Sequence, residues 1–126
     1  MRNKNDVSNT MICKIRNINN IHILDSVEQI EKIVDIICIH NHLNVINKLI
    51  STHNNCPEYS LMYVLDDECH IVIKTFPKTC LLMFHIIFYK NFDHHDCCLI
   101  NDFLIQSLEA NHTLSTMEFD DIITIL

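Results

Sequence analysis

The stretch DDECHIVIKTFPK, residues 66–78, runs from an acidic break into a thiol and an imidazole, Cys69 and His70. A cysteine beside a histidine suits nucleophilic catalysis, because the thiolate is the reactive form and a neighbouring cation favours it. If these residues begin a strand, neighbours point to opposite faces of the sheet, and His70 reaches Cys69 only where the backbone turns. Lys74 and Lys78 come next as cations that could hold a carboxylate or phosphate, although a lysine near a strand end also serves simply as a solvated edge charge.

A second constellation, HHDCC at residues 94–98, holds every residue type that a zinc site uses. His94 with Cys97 or Cys98 has the spacing of half a site, but the remaining cysteines supply no clear second half. These residues are therefore read as a polar helix start whose cysteines pack inward, and no metal is expected. His22, His40, His42 and His53 are scattered, and no shared role is assigned to them.

The elements that must position these groups are legible from periodicity. Residues 11–17 alternate as a short strand, with Met11, Cys13 and Ile15 on one face and Lys14 and Arg16 on the other. Asp25 and Glu28 resemble a capping box that opens a helix with Val27, Ile30, Val34, Ile37 and Cys38 on its buried stripe. That helix should end near His40. Residues 43–53 read as a strand closed by an Asn-Asn-Cys-Pro turn, and strands are expected at 60–65, 69–76 and 81–89. The last, LLMFHIIFY, is apolar on both faces and should be central.

A second helix spans 93–110 with Leu99, Phe103, Leu104 and Leu108 inward, and the tail offers one or two strands, the first at 113–119 and a second, if formed, at 122–125. The order β-α-β-β-β-β-α-β predicts an α+β two-layer sandwich, an antiparallel sheet with both helices on one face. Residues 1–10 read as a solvated lead-in, and 11–126 as a single domain.

Composition narrows the functions. A chain of 126 residues is long enough for one core without a disulfide framework, and its seven cysteines are odd in number, some inside apolar stretches (Cys38, Cys80) and two as a neighbouring pair (Cys97, Cys98), not at the even spacings of a stapled module. Nothing at the start resembles a leader peptide and no run is long enough to span a bilayer, so a reducing cytoplasm is expected and no membrane partner. Nine Lys and Arg against 16 Asp and Glu give a net charge of -7, the wrong sign for tracking phosphates, so nucleic acid is not an expected partner. The absence of glycine rules out a GxGxxG turn, a Walker loop or a glycine-based nucleophile elbow as written.

The central stretch, together with the apolar strand 81–89, resembles the small bacterial-type S-adenosylmethionine decarboxylases. Their hallmark is Glu-Ser-His, alternating apolar residues and then His-Thr-Trp-Pro-Glu. Here it stands in register as Glu68, Cys69, His70, then Lys74, Thr75, Phe76, Pro77 and Lys78. The order of elements extends the resemblance over roughly residues 11–119. It implies a pyruvoyl enzyme of spermidine synthesis: the chain cuts itself before the Ser, the new terminus becomes a pyruvoyl group, and that group forms a Schiff base with the substrate.

Carried over by position, Cys69 stands for the pyruvoyl-forming Ser, with the cleavage site between Glu68 and Cys69. Lys74 stands for the processing His, and Tyr89 falls at or beside the proton-donor Cys. Glu68, His70 and Phe76 lie where the resemblance implies substrate contacts. A thiol can still make an N→S acyl shift, but an ammonium with a pKa of ~10.4 is a poor general base where an imidazole at ~6.5 is suited. Without processing there is no electron sink.

The expectation is a decarboxylase-like pseudoenzyme without a cofactor, acting as a binding or regulatory subunit. It would be a homodimer through its sheets or a heterodimer with a competent decarboxylase, with S-adenosylmethionine as a possible ligand. The alternatives are an active pyruvoyl decarboxylase processed at Cys69, and an unrelated structural or interaction α+β protein.

Overall fold

The computed structural model describes residues 7–52, 55–66, 69–88 and 93–123. Strand β1 (Val7–Ile15) is followed by a single helical turn α1 (Ile21–Leu24) and helix α2 (Val27–His40). Strands β2 (Val45–Thr52), β3 (Tyr59–Leu65), β4 (His70–Phe76) and β5 (Leu81–Phe88) come next, with a 3-10 turn (Pro77–Thr79) between the last two. Helix α3 (His94–Leu108) and strand β6 (Thr116–Ile123) complete the order.

The six strands form one antiparallel sheet in the order β2-β3-β4-β5-β1-β6. Alternation in β3, β4 and β5 places Leu61, Tyr63, Ile71, Ile73, Phe84 and Ile86 against the helices. This is the expected α+β sandwich, with β5 in the middle of the sheet. Among the described residues no helix is long and apolar enough to cross a membrane.

Helix α2 buries Ile30, Val34, Ile37 and Cys38, one face at helical spacing. Two tyrosines tie the helical layer to β3. The Tyr59 hydroxyl donates to the Leu24 carbonyl at 2.8 Å, and the Tyr63 hydroxyl donates to the Asp35 carboxylate at 2.9 Å. Burial is the main cause that pushes both phenols well above the usual range, so they remain donors. Lys48 on β2 closes the group, 2.9 Å from Asp35 and 3.5 Å from Glu31, with its ammonium over the Tyr63 ring. Its hydrogen bond to Asp35 holds the ammonium protonated above its ordinary range.

Several boundaries differ from expectation for identifiable reasons. Strand β1 begins at Val7, because residues read as lead-in continue the pairing with β6 and, from Asn9, with β5. Asp25 does not cap α2. The turn of α1 takes Asp25 as its C-cap, and Ser26 accepts from the Gln29 amide instead. The reciprocal capping box sits at α3, where Asp93 and Asp96 each accept the other's backbone amide.

Helix α3 is rotated relative to the expected stripe. It buries Cys97, Ile100, Leu104, Ile105 and Leu108, leaving Leu99 exposed and Phe103 half-buried. In the tail, Thr113 belongs to a turn that the Asn111 side chain organises, and one strand, Thr116–Ile123, forms where one or two were expected. His53, at the end of the strand expected over 43–53, lies outside the described residues, as do residues 124 and 125 of the second tail strand.

Because the chain has no glycine, left-handed backbone falls on other residues: Asn17, His42, Asn55, Cys80 and Glu109, at φ between 52 and 62°. After α2, the Leu43 amide bonds the Cys38 carbonyl at 2.8 Å across a left-handed His42, a Schellman closure with histidine where glycine is usual. After α3, Glu109 does the same, and the Ala110 amide reaches Ile105. A Cβ in this region costs free energy that glycine avoids. The exposed Glu109→Gly is therefore expected to stabilise the fold by about 0.5–1 kcal/mol, read as a Tm rise of a few degrees. An unchanged or lower Tm would contradict this.

Candidate functional site

The hairpin between β3 and β4 carries the candidate nucleophile. The Cys69 amide bonds the Asp66 carbonyl at 3.2 Å, and the Leu65 amide bonds the Cys69 carbonyl at 2.9 Å. Cys69 thus lies directly across from Leu65. Both side chains enter the core between sheet and helices, with Cys69 only 1 % exposed. Glu68, the residue before the expected cleavage point, lies outside the described residues.

Strand parity then divides the motif between the two faces of the sheet. From Cys69 the core side continues through Ile71, Ile73 and Thr75, whereas His70, Val72, Lys74 and Phe76 share the opposite face. His70 is half-buried on that open face and Lys74 is exposed. The sheet lies between the thiol and the ammonium. Tyr89, the expected proton-donor position, falls outside the described residues.

The rest of the motif has structural work. Thr75, buried on the core side, accepts from the Tyr59 amide at 3.3 Å and donates to the Tyr59 carbonyl at 3.4 Å, tying β4 to the start of β3. Phe76 precedes the 3-10 turn and faces Leu81 across the hairpin. Pro77 opens that turn, where no amide donor is needed, and Lys78 is exposed on it. A hollow of about 180 Å³ bordered by Glu58, Ser60, Lys74 and Phe76 is smaller than the ~300–1,000 Å³ usual for ligand pockets.

The open face brings together more than sequence reasoning found. His85 on β5 stands opposite Val72 on β4 and Ile12 on β1. Among the described residues its buried Nε2 has no hydrogen-bond partner. Burial, then His70, then Lys74, hold its pKa below the ordinary imidazole range. Lys74 and Lys14 flank Met83 from the two sides. The signal for His85 was present in LLMFHIIFY: the histidine falls in phase with Leu81, Met83 and Ile87, on the half-buried side of the strand.

The histidine and cysteine cluster at 94–98 divides. Cys97 is buried against the core, while the Cys98 thiol lies 3.5 Å from His94 Nδ1 on the outer side of the first turns. Among the described residues no three histidine, cysteine or carboxylate side chains gather as a metal set, and none of the seven cysteines forms a disulfide. Burial pushes the Cys13 thiol up to about 12, with Cys97 and Cys98 adding to it, and the Cys38 thiol up to about 11. These thiols stay protonated and pack as small apolar groups. His22, His40 and His42 are exposed; a hollow of about 400 Å³ between α2 and α3 is lined by Ile36, His40, Leu99 and Phe103 among others.

The structure is similar to a crystal structure of the adenosylmethionine decarboxylase from Aquifex aeolicus, with a TM-score of 0.71 and 14 % identity, over 97 % of this chain and 93 % of that one. At that identity the likeness concerns the fold. No family model matches the sequence. No curated protein matches it either.

Proposed function

We propose that this chain is an S-adenosylmethionine decarboxylase-like pseudoenzyme, which stays in one piece and serves polyamine synthesis in the cytoplasm as a binding or regulatory subunit. It pairs through the open face of its sheet, with a second copy or with a competent decarboxylase subunit, and S-adenosylmethionine is its candidate ligand. The observation that carries this reading is the enclosure of Cys69, only 1 % exposed on the core side of the sheet at the position of the chain-cutting Ser. The fold likeness supports the relationship, and a lysine at the position of the processing His supports the loss of processing.

The open face supports pairing. Ile12, Met62, Val72, Leu81, Met83 and Ile87 face away from the helices, and no element of the described chain covers them. These apolar side chains around a few ionisable groups support a surface that a partner could cover.

Intact-mass spectrometry on the freshly purified protein, with Cys69→Ala beside it, tests the reading. The expected result is one uncut chain near 14.8 kDa, and no adduct after incubation with S-adenosylmethionine and a reductant that traps Schiff bases. Two fragments dividing between Glu68 and Cys69, absent in the variant and forming a trapped adduct, would overturn it in favour of an active pyruvoyl enzyme.

A further inference from the structure

The open face holds its ionisable groups at its centre. On β4 and β5, Val72 is opposite His85 and His70 is opposite Ile87, so the two imidazoles are diagonal neighbours on the same side of the sheet. Such pairs sit on the order of 7 Å apart, close enough to influence each other. Lys74 on β4 and Lys14 on β1 flank Met83 one row away. On β6, Glu118 stands beside Ile12 and is the carboxylate nearest to His85 in the register, one strand beyond β1. Strands β3 and β2 contribute Ser60, Met62, Val64, Asn47, Leu49 and Ser51 to this side, and so no charge. The described side chains around His85 thus number three basic groups and one acid, with the buried Nε2 of His85 lacking an acceptor.

We propose that His70 and His85 gate the association of two copies of this chain through the open face, closed when both imidazoles are neutral and opened when they take up protons. The inference rests on the pairing proposed for that face and names its control. Six strands at ~4.8 Å spacing and about seven residues at ~3.3 Å each give a footprint of about 650 Å², near the ~800 Å² per partner of a standard interface. A two-fold arrangement lets the same apolar face serve both copies.

The sign is set by what the partner removes. In the separate chain His85 is half-buried and His70 still reaches water. A covering copy strips the remaining water, which disfavours the charged imidazoles further. The separated chains therefore bind more protons than the pair. Association is at full strength where the imidazoles are neutral and weakens as the pH falls through the range in which they take up protons, by up to tenfold in Kd per pH unit for each proton linked.

Sedimentation equilibrium at pH 8, 7, 6 and 5.5, with circular dichroism at each pH to verify folding, provides the test. The expected result is a wild-type pair at pH 8 that separates toward pH 5.5, while a His70→Gln/His85→Gln double variant stays paired throughout. A His85→Lys variant carries its charge at any of these pH values and is expected to be monomeric already at pH 8. A wild-type pair equally tight at pH 5.5, a double variant with unchanged pH dependence, or a paired His85→Lys chain would each overturn the gate and leave the pairing intact. A wild type that is monomeric at every pH would overturn pairing between copies, and the gate with it.

Discussion

Phe84→Ala is expected to cost about 3–5 kcal/mol of folding free energy, the range for emptying a buried aromatic site. Phe84 lies at the middle of β5, opposite Ile73 on β4 and Cys13 on β1, on the side that the helices cover, and is fully enclosed. Its ring is among the largest side chains in the core, and rigid strands on both sides limit collapse into the void. Domains of this size have about 5–15 kcal/mol in total, so the loss is a large fraction. Urea unfolding monitored by circular dichroism should show a much lower midpoint with an unchanged slope. A cost under about 1 kcal/mol would mean that the sheet and helices do not meet at this ring.

Val72→Lys should separate pairing from folding. Val72 is two strand positions from Lys74, on the open face between Met62 and His85, where a lone chain can still extend a lysine ammonium toward water. Folding stability should change by less than about 1 kcal/mol. Paired face to face, that ammonium would be buried beside His85 as a third lysine with Lys14 and Lys74, against Glu118 as the one described carboxylate near His85 in the register. Leaving a charge unpaired in such an interface costs about 3–5 kcal/mol, so Kd is expected to rise at least 100-fold. Sedimentation of the variant at pH 8 reads this directly. A pair of undiminished strength would move the interface to another surface.

Periodicity made the architecture legible because half-buried antiparallel strands reveal themselves in alternation. The phase of Ile71, Ile73 and Thr75 is visible in the sequence, and with it the placing of Lys74 and Cys69 on opposite faces. What failed were features decided by a few local hydrogen bonds. Asp25 has the right type and spacing for a cap, yet the turn at Ile21–Leu24 uses it first. Leu99 and Phe103 are as apolar as Ile100 and Leu104, and only the rotation of α3 against β1 and β6 chooses between them.

The site was legible in part. The central motif pointed to Cys69, Lys74, His70 and Phe76, but residue types alone do not say that Cys69 is enclosed. His85 was hidden in an apolar run, and its meaning came from cross-strand neighbours that no linear pattern shows. Likewise, the absence of glycine excluded several chemistries at once but gave no indication that His42, Cys80 and Glu109 would take up left-handed backbone.

Among the described residues strand β2 pairs with β3 alone, and Val45, Ile46, Leu49 and Ile50 along it are 38, 66, 52 and 53 % exposed. Its outer backbone groups offer a template on which another extended chain can add, and the charges that usually discourage this are reduced to Lys48, already engaged by Asp35 and Glu31. The irregularity between Val45 and Asn47 interrupts the template only at its start. In concentrated solution, keeping this protein dispersed therefore depends less on the core than on this border, and a second lysine at Leu49 would lengthen its life in the tube.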